Sequence, residues 1–155
     1  MTIRRATVRD IPRLIAIAQQ SDSAGHWTVR QYEQALTESP PLRVVLVLQQ
    51  GVEILGFAVA AEIAHEWELE NIAVCASVRR LGYADRLMAA LLAQVQQAQA
   101  GSIGLEVRRS NQAAHRLYEK WGFQQVGVRP GYYHNPPEDA ILYKKNLVPP
   151  AREIG

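Results

Sequence analysis

The chain has 155 residues, of which 48% are hydrophobic and 21% are charged, and its formal net charge is +2. A chain of this size and composition buries one hydrophobic core, which predicts a single domain over residues 1–147. The small net charge excludes a protein that coats nucleic acid, yet it permits a local basic patch for a phosphate-bearing ligand. No apolar run approaches the roughly 20 residues that span a membrane, so we expect no membrane partner. Cys75 is the only cysteine in the sequence, and the absence of an internal disulfide suits the cytoplasm.

Turn residues and hydrophobic runs divide the first half of the chain into a strand, two helices and three further strands. Asp10 and Thr28 precede helical patterns as N-cap residues, and Pro40-Pro41 ends the second helix. Gly51 lies in a short turn that joins two β-rich runs as a hairpin. The predicted elements are a strand at residues 2–8, a helix from Asp10, a helix from Thr28 to about Glu38, and strands at 42–48, 53–60 and 67–74.

The second half of the chain alternates helices with strands. Apolar residues recur every three or four positions over residues 84–95, which predicts an α-helix that Gly101 ends. Ser110 or Asn111 caps a further helix, and Gly122 closes it. Hairpins followed by crossover helices predict a mixed α/β sheet, mostly antiparallel, flanked by about four helices. The predicted strands are 102–107, 123–128 and 140–145, and the tail at 148–155 is expected to fray.

The strand around Asn71 changes the parity of its apolar residues. Trp67 and Leu69 are odd-numbered, whereas Ile72 and Val74 after Asn71 are even-numbered. One extra residue in a strand shifts a period-2 pattern in this way, which predicts a β-bulge with unpaired backbone N–H groups. A strand buried on both faces would produce the same pattern without a bulge.

A glycine-containing loop follows this strand and opens the strong helix. The unsatisfied N–H groups of a helix start form an anion site. Gly82 and Ala84 are small enough to let a phosphate approach, and Arg79 and Arg80 add positive charge. Arginine and glycine at a helix start are also typical of a plain surface turn. The sequence contains neither G-x-x-x-x-G-K-[ST] nor G-x-G-x-x-G, which excludes a P-loop and a dinucleotide fingerprint.

Arg79-x-x-Gly82-x-Ala84 resembles the pyrophosphate-binding motif Q/R-x-x-G-x-G/A of the GNAT acetyltransferases. Other segments are similar to one GNAT subfamily, the ribosomal-protein-alanine N-acetyltransferases, which acetylate a protein N-terminus. The resemblance runs in order over residues 53–147, and before them it includes only Trp27. Cys75-Ala76-Ser77 departs from the Asp-Pro pair usual in the subfamily. The similar segments are Trp67–Val74, Leu105–Arg108, Ser110-Asn111-x-x-Ala114, Leu117–Glu119, Gly122-Phe123, and Tyr132-Tyr133 with Glu138–Ala140.

The resemblance implies the GNAT fold, acetyl-CoA as cosubstrate and a role for each matching residue. By motif position, Glu106 is the general base, Tyr118 is the general acid, and Asn111 holds the cofactor. The acetyl-pantetheine arm is expected to bind backbone groups of Ile72, Ala73 and Val74. The diphosphate is expected to lie against Arg79, Arg80, Leu81, Gly82, Tyr83, Ala84 and Asp85.

Several of these residues also have a purely structural interpretation. Tyr118 lies on the apolar stripe of its helix, and Asn111 is equally explained as a helix cap. Without the resemblance, Glu106 would be an exposed glutamate near a strand end. Glu68 and Glu70 remain alternative candidates for the base. The four histidines show no metal-ligand spacing, so we expect no metal site.

Three functions fit the sequence. The first is acetyl transfer to a protein N-terminus, whose α-amine of pKa about 8 costs only about 1.4 kcal/mol to deprotonate at pH 7. The second is acetyl transfer to a small-molecule amine or a lysine, whose deprotonation costs about 4.6 kcal/mol. The third is a non-catalytic module that binds acetyl-CoA, against which the presence of both Glu106 and Tyr118 argues. The oligomeric state does not follow from the sequence.

Overall fold

The computed structural model describes residues 1–21, 26–39, 41–64 and 66–147. They form one seven-stranded sheet and four α-helices, in the order predicted from the sequence. The predicted tail at 148–155 lies outside the described residues. In chain order the elements are β1 (Thr2–Arg5), α1 (Ile11–Gln19), α2 (Val29–Thr37), β2 (Arg43–Gln50), β3 (Glu53–Ile63), β4 (Glu66–Val74), α3 (Tyr83–Gln97), β5 (Ser102–Arg108), α4 (Gln112–Lys120), β6 (Gln124–His134) and β7 (Pro137–Asn146).

The strands follow the order β1-β2-β3-β4-β5-β7-β6 across the sheet. β4 and β5 are parallel, and every other neighbouring pair is antiparallel. The parallel pair requires a crossover, which α3 supplies. The prediction of a mixed, mostly antiparallel sheet is therefore confirmed.

Each face of the sheet carries its own hydrophobic cluster. The apolar stripe of α3, with Leu87, Met88 and Leu91 fully buried, packs on one face together with Tyr118 of α4. On the other face, the buried side chains of α1 and α2 pack against β2 and β3 around Phe57. Burial of these two sets of side chains from water is the main stabilising contribution to the fold.

Several predicted element boundaries differ from the structure by a few residues, and three of the differences have a clear physical reason. β1 ends at Arg5 rather than at residue 8, because a 3₁₀ turn precedes α1. α3 ends at Gln97 rather than at Gly101, because Gln99 takes the left-handed conformation that closes the helix, with φ of 61°. β6 extends to His134, because it continues to pair with β7 beyond an interruption after Arg129.

The bulge in β4 is present at Glu70. Val59 and Ala60 are consecutive in β3, yet they pair with Asn71 and Leu69, so Glu70 is the extra residue. Trp67 and Leu69 belong to the cluster under α3, and after the bulge the even-numbered Ile72 and Val74 pack against that cluster instead. Of the two interpretations that the parity change left open, the structure thus supports the bulge.

Among the described residues, none of the helices combines the length and the apolar character that crossing a bilayer requires.

Candidate active site

The two parallel strands of the sheet separate at the bulge. Trp67 pairs with Ile103 and Glu68 with Gly104, and over residues 66–147 β4 and β5 share no further pairs. The second halves of the two strands therefore diverge and leave a V-shaped opening in the middle of the sheet. A cavity of about 340 Å³ lies in this opening.

The edge of β4 presents backbone groups to the opening. The N–H group of Cys75 donates to the carbonyl of Leu55 at 2.8 Å, which directs it toward β3. Backbone groups of successive strand residues point in opposite directions, so those of Val74 and Ile72 face the opening. Strand β5 pairs with β4 only before the bulge, and these N–H groups are available to a ligand there.

Helix α3 begins at the same opening with free N–H groups. Gly82 is its N-cap residue, with φ of 80° and ψ of 14°, a left-handed conformation that favours glycine. The first helical hydrogen bond runs from Arg86 N–H to the Gly82 carbonyl, and no side chain of the described residues caps the helix. The N–H groups of Tyr83, Ala84 and Asp85 therefore remain free, which is the arrangement of an anion site.

The two arginines before the helix have different surroundings. Both line the cavity. Arg79 donates from Nη2 to the backbone carbonyl of Gln20 at 2.9 Å, so its side chain also holds the end of α1. Arg80 has a positive φ of 66°, and its guanidinium has no hydrogen bond or ion pair within the described part of the chain. Leu81 is 60% exposed and is the one predicted binding residue outside the cavity lining.

The carboxylate of Asp85 faces helix α4 rather than the free N–H groups. It accepts from Trp121 Nε1 at 2.8 Å and pairs with Lys120 Nζ at 3.1 Å. Burial acts to raise the pKa of Asp85, but the hydrogen bonds from Trp121 and Lys120 outweigh it and hold the pKa below its ordinary value. The side chain therefore joins α3 to α4, and any ligand contact of Asp85 would come from its backbone.

One cavity brings the predicted site residues together from four elements. Apart from Leu81, every predicted site residue lines this cavity, including the expected base Glu106 and the expected acid Tyr118. The sequence did not single out several other lining residues, because their separation along the chain gives no local signal. The lining consists of Ser21, Leu69, Glu70, Asn71, Ile72, Ala73, Val74, Val78, Arg79, Arg80, Gly82, Tyr83, Ala84, Asp85, Glu106, Val107, Arg108, Asn111, Ala113, Ala114, Leu117, Tyr118 and Tyr133.

Glu106 lies on β5, at the wall opposite β4. Its Oε1 atom is 3.3 Å from Nη1 of Arg129, and its side chain is 29% exposed. The nearby Glu106 carboxylate raises the pKa of the Tyr132 hydroxyl. Arg129 and Tyr132 both come from β6, where the ladder with β7 is interrupted. They hold the Glu106 carboxylate at the cavity, and Arg129 is a contact that the sequence analysis missed.

The two alternative carboxylates differ from Glu106 in position. Glu70 lines the cavity, but its Oε1 atom accepts from Nε of Arg43 at 2.8 Å. Glu68 is outside the lining. Burial and the nearby charge of Glu106 raise the pKa of Glu68. Glu106 is therefore the carboxylate that both lines the cavity and forms an ion pair with the β6 segment.

Tyr118 reaches the cavity from α4 with its ring in the core. The ring packs against those of Phe123 and Tyr143, at centroid distances of 5.7 and 6.2 Å. Burial raises the pKa of its hydroxyl well above the ordinary value. Within the described part of the chain this hydroxyl has no hydrogen-bond partner. The core interpretation thus holds for the ring, while the hydroxyl is free to serve a ligand.

Asn111 is the N-cap residue of α4. Its Oδ1 atom accepts from the N–H group of Ala114 at 3.1 Å, and the residue also lines the cavity. The capping interpretation is therefore correct for the oxygen, and the amide nitrogen remains for a ligand. In residues 1–21, 26–39, 41–64 and 66–147, no group of three or more His, Cys, Asp or Glu side chains could hold a metal ion.

Comparison with known proteins identifies the family to which this cavity belongs. The model of the acetyltransferase (GNAT) family matches residues 11–123. The chain is a GNAT acetyltransferase. Like other members of the family, it is an acetyl-transferring enzyme.

Individual relatives agree with the family. The ribosomal protein bS18-alanine N-acetyltransferase of Haemophilus influenzae is 34% identical over 131 residues, which cover 82% of this chain and 84% of that protein. Its counterpart in Haemophilus ducreyi is 39% identical over 92 residues, 57% of this chain and 63% of that protein. The crystal structure of the Escherichia coli ribosomal-protein-S18-alanine N-acetyltransferase has a TM-score of 0.84 and 29% identity, covering 99% and 97% of the two chains.

Proposed function

We propose that this GNAT enzyme transfers the acetyl group of acetyl-CoA directly to the α-amine of a protein N-terminus. The observation that carries the proposal is the single cavity in which Glu106 and Tyr118 lie with the free edge of β4 and the open start of α3. The similar proteins of Haemophilus influenzae and Escherichia coli are named as alanine N-acetyltransferases of a ribosomal protein, S18. An acceptor of this kind is present in the cytoplasm.

The start of α3 fits the two linked phosphates of acetyl-CoA. Three free N–H groups at the positive end of the helix dipole favour an anion, and Gly82 has no side chain that would keep a phosphate away. A Cβ atom placed on Gly82 would meet no protein atom within 4 Å, so the space beside it is open. Arg80 lies next to it with an unpaired guanidinium in the described part of the chain.

The edge of β4 fits the acetyl-pantetheine arm. An extended arm can pair with the unpaired strand edge as a neighbouring strand would. The N–H group of Val74 faces the opening and serves to polarise the acetyl carbonyl, whose oxygen gains negative charge during attack. The fixed orientation of this group costs no reorganisation during the reaction.

Glu106 acts as the general base. The α-amine of the acceptor must lose a proton before it attacks, and a carboxylate that reaches the amine directly or through water can take it. Arg129 and Tyr132 fix the position of this carboxylate. The small deprotonation cost of an α-amine, about 1.4 kcal/mol at pH 7, makes a weak base sufficient.

Tyr118 acts as the general acid for the departing sulfur of coenzyme A. The hydroxyl is protonated at neutral pH, because the ordinary pKa of a tyrosine is about 10 and burial raises that of Tyr118, so a proton is present for the thiolate. Its free hydroxyl and its packed ring combine an available proton with a fixed position.

A pair of substitutions and one acceptor screen test this function. With a peptide that has a free N-terminal alanine, Glu106→Gln should lower kcat at pH 7 roughly a hundredfold or more and leave the Kd for acetyl-CoA nearly unchanged. Glu68→Gln is the matched control, because Glu68 has the same charge but lies outside the cavity lining. An unchanged kcat in Glu106→Gln would disprove the base assignment. Faster acetylation of lysine or a small amine than of any N-terminus would disprove the acceptor.

A further inference from the structure

The end of the β6–β7 hairpin borders the cavity through Tyr133. In the described part of the chain, β6 and β7 pair only twice beyond their interruption, at Tyr133 with Glu138 and at the next pair toward the turn. β5 pairs with β7 as far as Arg108, which lies opposite Ala140. The hairpin end therefore extends past the ladder with β5, and side-chain contacts are needed to fix it at the cavity.

Arg108, the last residue of β5, supplies these contacts. Its Nη1 atom donates to the carbonyl of Pro136 at 3.1 Å and to Oε1 of Glu138 at 3.3 Å. Its guanidinium carbon lies 4.2 Å from the ring centroid of Tyr133, which is within the range of a cation–π contact. One side chain therefore holds three residues of the hairpin end.

Glu138 joins this clamp to the start of α4. Its Oε2 atom accepts from the N–H group of Ser110 at 2.6 Å. Hydrogen bonds from Ser110 and Arg108 outweigh burial and hold the pKa of Glu138 below its ordinary 4.5, so the carboxylate is charged at neutral pH. The side chains of Arg108 and Glu138 are 22% and 17% exposed, so solvent screens their ion pair incompletely.

The clamped ring of Tyr133 is close to both residues that carry the proposed chemistry. Arg108 and Tyr133 line the cavity together with Glu106 and Tyr118. Burial and the nearby charge of Glu106 raise the pKa of the Tyr133 hydroxyl. Burial, and to a smaller extent the nearby Tyr133, raise the pKa of Tyr118. Because the acceptor amine must reach Glu106, Tyr133 belongs to the wall along which the acceptor enters.

We propose that Arg108 is a positioning residue for the acceptor, because it holds the ring of Tyr133 in the cavity wall beside Glu106, where the ring packs against the bound acceptor. Arg108 acts through Tyr133 rather than by its own contact with the acceptor. Without the stacked guanidinium the ring would be free to turn away, and the acceptor would bind more weakly. The diphosphate site at the start of α3 would be unaffected. This inference rests on the proposed transfer to an N-terminus.

Steady-state kinetics with a peptide that has a free N-terminal alanine tests this role. Arg108→Gln removes the charge and the stack, so it should raise the KM for the peptide about tenfold, the effect of one partly buried cation–π contact. The kcat and the Kd for acetyl-CoA should stay nearly unchanged, because Glu106, Tyr118 and the start of α3 remain. Arg108→Lys keeps a charge for Glu138 but has no planar group to stack, so its KM should be intermediate.

Arg109→Gln is the matched control for the loss of an arginine charge. Arg109 is the next residue in the chain, and its Nη2 atom pairs with Oδ2 of Asp139 at 3.3 Å. Its side chain is 59% exposed, and the residue is outside the cavity lining. The KM of Arg109→Gln for the peptide should therefore equal that of the wild-type protein.

A double-mutant cycle separates positioning from a direct contact. Tyr133→Leu removes the aromatic face and should raise the KM for the peptide at least as much as Arg108→Gln does. If Arg108 acts through Tyr133, the addition of Arg108→Gln to Tyr133→Leu should raise the KM no further. A merely structural role of Arg108 would lower the Tm and the active fraction, and hence the apparent kcat, without a change in KM.

The outcomes separate this inference from the proposed function. Multiplicative effects of the two substitutions on KM would show that Arg108 acts independently of Tyr133 and would overturn the inference. An unchanged KM in Arg108→Gln, or an equal rise in Arg109→Gln, would also overturn it. In these cases acetylation of the peptide N-terminus by the wild-type protein leaves the proposed function intact. If the wild-type protein acetylates no N-terminal peptide, the proposed function fails, and this inference fails with it.

Discussion

Replacement of Gly82 by alanine tests whether the start of α3 binds phosphate. The left-handed conformation of Gly82 costs an alanine about 1–2 kcal/mol. A loss of 1 kcal/mol lowers the Tm of a chain of this size by about 2–4 °C, so Gly82→Ala should lower it by about 2–8 °C. A Cβ atom here meets no protein atom within 4 Å, so steric conflict inside the protein adds nothing to this cost.

The effect on ligand binding is separate from the effect on stability. A methyl group beside the free N–H groups would displace a phosphate and weaken one charge-assisted hydrogen bond, which contributes about 1.5–3 kcal/mol. The Kd for acetyl-CoA should therefore rise roughly 10- to 100-fold. Calorimetric titration with acetyl-CoA measures this Kd, and thermal unfolding without ligand measures the Tm.

Gly51→Ala is the matched control for Gly82→Ala. Gly51 also has a positive φ, of 61°, and a Cβ atom there also meets nothing within 4 Å, but it lies in the β2–β3 hairpin, outside the cavity lining. Its replacement should lower the Tm by a similar amount and leave acetyl-CoA binding unchanged. If both variants bind acetyl-CoA equally well, the phosphate site at the start of α3 is refuted.

Three further substitutions probe the acid, the strand edge and the first turn. Tyr118→Phe should lower kcat roughly a hundredfold, while chemical denaturation should show a stability change below about 0.5 kcal/mol; a kcat near wild type would exclude the general acid. Gly56→Ala would bring a Cβ atom to 2.8 Å from the carbonyl oxygen of Ala73 and so shift β4. It should lower the free energy of unfolding by about 1–3 kcal/mol and weaken acetyl-CoA binding. Unchanged stability and binding would contradict the close approach of the two strands. Asp10→Asn should lower the free energy of unfolding by about 1–2 kcal/mol at pH 7, because the hydrogen bond from Arg4 stabilises the Asp10 carboxylate and holds its pKa below the ordinary 3.8. The stabilisation by this carboxylate is complete above pH 3.8 and is lost as the pH falls through the lowered pKa. The denaturation curves of the two proteins should therefore converge in acid.

Local sequence patterns predicted most of the fold. The order of all seven strands and four helices, the hairpin at Gly51 and the caps at Thr28 and Gly122 follow from residues close together in the chain. The boundary at the end of α3 was wrong, because Gln99 rather than a glycine takes the left-handed position. A residue with a side chain can take the left-handed conformation, but this costs free energy. The sequence alone does not show at which residue the rest of the fold compensates for that cost.

The family motif and a possible bulge could also be recognised in the sequence, but the position of one relative to the other could not. The parity change predicted an extra residue near Asn71, and pairing identifies it as Glu70. That β5 leaves β4 at this point, and that the start of α3 lies in the resulting opening, depends on how the strands pair.

The sequence by itself therefore determined the elements, their order and the resemblance that identified the family, because helical and strand periods, caps and motifs are properties of neighbouring residues. Only the tertiary structure decided which side chains surround each candidate. It brought Arg129 to Glu106 and Arg43 to Glu38 and Glu70. Contacts such as that between Arg129 and Glu106 join residues far apart in the chain, and their formation depends on strand register and packing rather than on any local pattern.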